Sequence, residues 1–234
     1  MNSWKRVWDK KTAKDSVILN GDREDVLLEL KRCNGFDIVD GMSYDAFYRQ
    51  YEEIRDNLQK YGKIKSVYEV GCGSGANLYL FENEGYASGG LDYSHSLIEV
   101  AGNVLNTEDL LCAEAVDMTT DKMYDAVFSN SVFSYFDNEA YAEKVLEKMY
   151  KKAGNVIGLI DIHDIDKKEE FVTYRRRVVE DYDRRYADLP KLFYSRQFFE
   201  KFAQRYNMSV IFLESNVEGY WNNPFVFSCY MYKH

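Results

Sequence analysis

Val67-Tyr68-Glu69-Val70-Gly71-Cys72-Gly73-Ser74-Gly75 reads as a buried strand that carries an acid near its end and breaks into a turn of three alternating glycines. Glycine accepts positive φ and lets a ligand touch the main chain, while the N–H groups of a following helix turn toward that ligand. An ordinary strand-to-helix loop rarely needs three alternating glycines. The stretch therefore marks a site for a nucleotide-like ligand. Two ligand classes fit it, because Gly71, Gly73 and Ala76 also meet the loose G-x-G-x-x-G/A spacing of dinucleotide sites.

Outward from this turn the pattern alternates. Strands are predicted near 65–70, 86–92, 109–113, 124–129 and 155–161, with helices near 75–83, 95–105 and 138–152. Alternation with short connections argues for a parallel sheet whose ligand site lies at the strands' carboxyl ends. After residue 163 the pattern changes to an insertion at 164–190, a helix near 196–206 opened by Ser195, and strands from Met208 to Leu213 and Phe225 to Tyr232. A loop of about ten residues is too short for a parallel helical crossover, so the last two strands should pair antiparallel at the sheet edge. The expected fold is α/β and doubly wound: a mostly parallel seven-stranded sheet with an antiparallel last strand.

Glu69, two residues before the first glycine, together with Gly75 gives E-x-G-x-G-x-G, which resembles the first motif of the class I S-adenosylmethionine-dependent methyltransferases. The resemblance continues down the chain. Tyr86 to Leu91 closes on Asp92, where the family places an acid on both ribose hydroxyls, and Tyr93 follows where the family sets a side chain against the adenine. A carboxylate accepts two hydrogen bonds from a diol in either cofactor class, so Asp92 supports adenosine without separating the two. Glu114-Ala115 resembles the family's acid-alanine pair at the adenine edge, with glutamate in place of the usual aspartate. Tyr124-Asp125 then resembles the start of its fourth strand, and Asn130 ends that strand where the family lines the methionine portion. The resemblance covers roughly residues 44 to 232. It implies a Rossmann-like methyltransferase fold and S-adenosylmethionine as cofactor, with S-adenosylhomocysteine as product and no metal. It also implies contacts from Glu69, Gly71, Cys72, Gly73, Gly75, Asp92, Tyr93, Glu114, Ala115 and Asn130.

At 234 residues the chain suits one well-buried α/β core with additions. The formal net charge of −9 gives no long-range attraction to nucleic acid or an anionic membrane. Cysteines 33, 72, 112 and 229 have neither metal-type close pairing nor the density of a small disulfide scaffold, which suits reduced thiols in the cytoplasm. No apolar run has bilayer-spanning length, and no signal-type apolar core follows the first residues. Nothing marks a second independent domain. The expected organisation is an N-terminal helical cap over 1–60 and a core over 61–234, with the 164–190 insertion as a substrate lid.

Substrate choice should lie outside the cofactor core. Tyr44, Phe47, Tyr48 and Tyr51 share one helical face; in related methyltransferases such a helix covers the cofactor, with a tyrosine on its carboxylate, and a helix merely packed on the sheet would show the same spacing. Trp4 and Trp8, four apart, suit the same lid or a frayed end. Arg175, within Tyr174-Arg175-Arg176-Arg177, would suit an anionic group of the acceptor, although Glu180 with Arg184 and Asp181 with Arg185 read equally as i,i+4 pairs on an exposed helix, the reading the run favours. Tyr135 after the fourth strand, and Tyr220 and Trp221 between the last two, are candidate acceptor-lining aromatics.

A hydroxyl acceptor gains from a base, and histidine suits neutral pH. His163, just beyond the fifth predicted strand, is the candidate, with Asp161 or Asp164 to orient it. The expected function is methyl transfer to a small polar acceptor at oxygen, a hydroxyl of a sugar-like or other metabolite, with a small molecule and neither nucleic acid nor membrane as the partner. An amine N-methyltransferase, a nicotinamide-dependent oxidoreductase and a non-catalytic binding module stay open as alternatives.

Overall fold

In the computed structural model, which describes residues 4–36 and 42–234, the chain forms seven strands and ten helices among those residues. Four helices come first: α1 (Lys5–Trp8), α2 (Asp15–Asn20), α3 (Arg23–Cys33) and α4 (Tyr44–Leu58). The alternating part follows as β1 (Ser66–Val70), α5 (Ala76–Asn83), β2 (Ala87–Asp92), α6 (His95–Val104), β3 (Leu110–Cys112), β4 (Tyr124–Asn130), α7 (Glu139–Lys152) and β5 (Ala153–His163). The chain then runs through α8 (Lys168–Val178), α9 (Tyr182–Arg185), α10 (Arg196–Arg205), β6 (Met208–Glu214) and β7 (Val226–Lys233).

The strand order is β3-β2-β1-β4-β5-β7-β6, parallel except that β7 runs antiparallel to both neighbours. The last two strands do pair, but β7 inserts between β5 and β6, so β6 forms the edge. Pairing of Ile162 with Phe227 and of His163 with Val226 carries β5 two residues past its predicted end. His163 is therefore the last residue of a strand and not part of the loop after it.

Both faces of the sheet are covered, which is why its strands are apolar at nearly every position. Val67, Ala126, Phe128, Val156 and Ile160 face a core shared with α3, α4 and α5, while Tyr68, Val70, Val127, Ile157 and Leu159 face α7 and α10. The N-terminal helices belong to the first of these cores: Leu27, Leu30, Phe47, Tyr51, Ile54 and Leu58 are buried in it with the strand residues. Serine and asparagine caps set the helix starts, with Ser43, Ser94, Asn138 and Ser195 each accepting from a backbone N–H three residues on. A third, smaller cluster of Phe171, Phe193 and Phe225 ties α8 to the segment before α10 and to the β6–β7 connection.

Candidate active site

At the carboxyl ends of β1 and β4, where the strand order reverses, lies a cavity of about 260 Å³. The glycine turn forms its floor. Gly71 and Cys72 donate their N–H groups to the Leu91 carbonyl, and Gly71 and Gly73 take φ of +75° and +53°. A Cβ on Gly71 would sit 2.3 Å from Val132 Cγ2, and one on Gly73 2.4 Å from Asn34 Oδ1, so the turn admits no side chain at either position. Cys72 and Gly75 do not line the cavity. The Cys72 side chain is buried against Gly90, its thiol pushed up by burial, and Gly75 opens α5 at φ +82° with Leu105 and Ala101 packed over it.

Four acids and one lysine line this cavity: Glu69, Asp92, Glu114, Asp137 and Lys31. Asp92 accepts from Gly73 N at 3.0 Å and Ser94 N at 2.8 Å; burial raises its pKa to about 6 against the pull of those two bonds. Tyr141 donates to Glu114 Oε2 at 3.5 Å, which holds the longer acid at the cavity edge beside Ala115. Tyr93 and Asn130 also line the wall.

Lys31 and Asn34 were not legible as site residues. Both come from α3 and its end, and both are tied to the glycine turn. Ser74 donates its N–H to Asn34 Oδ1 and its hydroxyl to the Leu30 carbonyl, each at 2.8 Å. Lys31 donates to Asn77 Oδ1 at 2.9 Å, and Asn77 donates to Glu69 Oε1 at 2.6 Å. Glu69 Oε2 is buried without a partner. Burial pushes the Lys31 ammonium down and the Glu69 carboxyl up, each restrained by the opposite charge of the other.

A second cavity, of about 140 Å³, adjoins the first; Trp8, Asn34, Phe36, Ser131 and Tyr135 line both. Its own walls include Asp161, His163, Lys191, Tyr220, Trp221 and Asn222. Asp161 stands at φ +61° in β5, an unusual conformation for a side-chain-bearing residue, and accepts from Ser131 Oγ, from Tyr220 Oη at 2.8 Å and from Asn222 Nδ2 at 3.3 Å. The same Asn222 amide lies 3.3 Å from His163 Nε2. The imidazole is 2% exposed, with Phe171 and Phe193 edge-on to it at 4.9 and 5.1 Å. Burial, helped by the charges of Lys191 and Arg175, pushes its pKa well below 6.5, so it is neutral at physiological pH.

Of the two acids flanking His163, Asp161 reaches it through Asn222, whereas Asp164 caps the next turn at Asp166 N and faces Arg196 at 3.6 Å. Trp4 and Trp8 close the roof, their rings 4.7 and 5.8 Å from Tyr135, and Trp4 is anchored by Nε1 to the Pro190 carbonyl at 2.9 Å. Tyr44 and Tyr48 line neither cavity. Burial of Phe47, Tyr51 and Ile54 turns these two onto the flank of α4, where they stack on each other and Tyr48 bonds Glu84. Arg175 also stays out of the lining: its guanidinium lies 4.7 Å over Trp221 and donates to Tyr186. The expected pairs Glu180–Arg184 and Asp181–Arg185 do not form. Asp181, at φ +53°, breaks the helix there, and Arg184 pairs with Asp181 and Arg176 with Asp183 instead.

A family model described as a methyltransferase domain matches residues 68–157, from within β1 to the middle of β5. Over this segment the chain is similar to a methyltransferase domain. A malonyl-[acyl-carrier protein] O-methyltransferase of Priestia megaterium (strain DSM 319 / IMG 1521) is 30% identical over 97 residues, 39% of this chain and 35% of that protein. The match thus spans about a third of the curated relative's length. Two solved structures are similar in fold over nearly the whole chain. One is magnesium protoporphyrin IX methyltransferase from Synechocystis PCC 6803 with bound SAH, at a TM-score of 0.63 and 12% identity, covering 94% of this chain and 100% of that one. The other is the plantazolicin methyltransferase BpumL in complex with a triazolic desmethylPZN analog and SAH, at 0.63 and 16%, covering 100% of both chains. At these identities the likeness is one of fold, a mostly parallel seven-stranded α/β sheet with an antiparallel ending as in Rossmann-like methyltransferases. No helix among the described residues is long and apolar enough to cross a membrane, and no group of three metal-ligating side chains is found among them.

Proposed function

We propose that the protein is an S-adenosylmethionine-dependent methyltransferase acting on a small polar acceptor, at oxygen. The observation that carries this reading is the pairing of an acidic cavity on the glycine turn with a polar cavity that opens from it past Ser131 and Tyr135. A cofactor with a sulfonium and an ammonium group suits four carboxylates; a dinucleotide pyrophosphate beside the same acids would meet repulsion offset by Lys31 alone.

The residues fit the cofactor part by part. Asp92, already oriented by Gly73 and Ser94, is the acceptor for the ribose diol, and Tyr93, Glu114 and Ala115 flank the adenine. The buried, unpartnered Glu69 Oε2 suits the ammonium of the methionyl end, and Lys31 suits its carboxylate. Gly71 and Gly73 supply close main-chain approach, with Cys72 and Gly75 shaping the turn. Asn130 lines the methionyl side. Tyr44, placed on the flank of α4, drops out of this reading in favour of Lys31.

Bound S-adenosylmethionine supplies an activated methyl group, so alignment and exclusion of water are the protein's main tasks. Trp4, Trp8 and Tyr135 close the roof over the junction of the cavities. Tyr220 and Trp221 wall the acceptor side, with α8 and α9 of the 164–190 insertion behind them as a lid; Arg175 braces Trp221, and Tyr48 lies away from the acceptor. His163, held neutral, is the base for an acceptor hydroxyl, positioned through Asn222 by Asp161. An amine acceptor would not need it. The cap over 1–60 and the core over 61–234 act as one unit in this scheme, since Lys31 and Asn34 complete the cofactor cavity.

Calorimetric titration with S-adenosylhomocysteine, NAD and NADP tests the cofactor, and transfer of labelled methyl across hydroxyl and amine acceptors tests the reaction. Preference for NAD would overturn the reading. Transfer undiminished in His163→Gln would assign the acceptor to the base-independent class.

A further inference from the structure

Lys191 is the cation of the second cavity. It enters between α9 and α10, where Leu192 N bonds the Ser134 carbonyl and draws the segment over the strand ends. Its ammonium lies 4.3 Å over the Tyr135 ring and 5.5 Å from that of Trp4. Its hydrogen bond is to a neutral group, Ser134 Oγ, at 3.3 Å, and among the described residues it forms no ion pair. Of its three N–H donors only that one has a hydrogen-bond acceptor among the described residues; the rest of the ammonium meets aromatic rings.

Asp161, the acid of the same cavity, attracts this charge from a distance but makes no ion pair with it. Its oxygens are taken up by Ser131, Tyr220 and Asn222, three neutral donors, which stabilise a carboxylate without neutralising a lysine. The neighbouring His163 is neutral, and Arg175, stacked behind Trp221, adds positive potential from the same side. Burial, offset only in part by the charge of Asp161 and helped by that of Arg175, holds the Lys191 pKa down at about 8. A desolvated ammonium with spare donors is costly to keep unless a ligand completes it.

We infer that the methyl acceptor is an organic acid, whose carboxylate docks on Lys191 while its hydroxyl faces His163. The inference rests on the methyltransferase reading and names the substrate class for it. Tyr135, Trp221 and Phe36 give this site flat apolar walls, so a ring-sized hydroxy acid suits it better than an open sugar. The acid is a handle here and the hydroxyl oxygen is the methyl acceptor: its proton passes to the imidazole as the new O–C bond forms and the S–C bond breaks.

The test uses full-length protein saturated with S-adenosylhomocysteine, so that the first cavity is filled. Binding of 4-fluorobenzoate, 4-fluorobenzyl alcohol and 4-fluorobenzamide is followed by ¹⁹F NMR line broadening. The acid should bind about tenfold or more tightly than either neutral analogue, a preference lost in Lys191→Met and kept in Lys191→Arg. Unchanged S-adenosylhomocysteine affinity in both variants shows that they fold. Equal binding of the three probes, binding of none, or an acid preference that survives Lys191→Met overturns the inference. Failure of the wild type to bind S-adenosylhomocysteine would instead overturn the reading on which it rests.

Discussion

Replacing Lys31 by methionine should separate two forms of the same ligand. The ammonium is 2% exposed and spends one donor on Asn77, leaving two for a carboxylate at the methionyl end of the cofactor. Because it is already desolvated in the free protein, most of the burial cost falls on folding and not on binding. A charge-assisted hydrogen bond contributes about 1.5–3 kcal/mol, and a unit charge pair near 3 Å about 5 kcal/mol before desolvation at an effective dielectric of about 20. Taking about 2 kcal/mol as the net loss predicts roughly 30-fold weaker binding of S-adenosylhomocysteine. 5′-Methylthioadenosine, which keeps the nucleoside and thioether but lacks the amino-acid end, should bind the variant within about threefold of wild type, less than the roughly 0.7 kcal/mol of one weak contact. Calorimetry on both ligands, with Glu69→Gln beside it, gives the comparison directly. An equal loss on the two ligands would refute the reasoning, because it would make Lys31 a support for the glycine turn; no loss on either would do so as well.

Asp92→Ala should give the opposite pattern, weakening both ligands alike by about 10–100-fold, since the ribose is common to them; calorimetry on the same pair checks it. Gly71→Ala brings a Cβ within 2.3 Å of Val132 at φ +75° and should lower stability by about 1–3 kcal/mol in urea titration, with S-adenosylhomocysteine affinity falling in parallel. His163 predicts a pH dependence. Its folded pKa lies well below the unfolded 6.5, so below that pH the unfolded state takes up a proton that the folded state refuses, and stability falls as pH falls through 6.5. Relative to His163→Gln, the wild type should lose up to about 1.4 kcal/mol per pH unit between 6.5 and 5.5; parallel curves would contradict the buried neutral imidazole.

The first of these residues was hidden in sequence and the others were not, and the difference has a physical cause. Asp92, Gly71 and Gly73 lie in short motifs where a strand end, a turn and a helix start impose fixed residue types at fixed spacing. The strand alternation, the Ser195 cap and the antiparallel ending were legible for the same reason, because each depends on neighbours a few residues away. Even the insertion showed its composition, although the break at Asp181 that rearranges its ion pairs did not.

Lys31, Asn34, Lys191 and Asn222 belong to the other kind. Nothing adjacent to Lys31 in the chain distinguishes it from the exposed lysines of other helices; its role comes from Asn77, 46 residues away, and from Glu69 beyond it. Tyr44 stood on a helical face that read as a lid, but the packing of Phe47 and Tyr51 into the core rotated that face inward and left Tyr44 on the flank. By itself, then, the sequence determined the doubly wound sheet, the glycine turn and the acids at its strand ends, since local backbone geometry and hydrophobic period dictate them. Only the tertiary structure decided which charges are buried together, which aromatic side chains line the two cavities, and that a lysine with no ion pair among the described residues shares the second cavity with a neutral histidine. Desolvation and charge pairing depend on distance in space, and separation along the chain does not encode that distance.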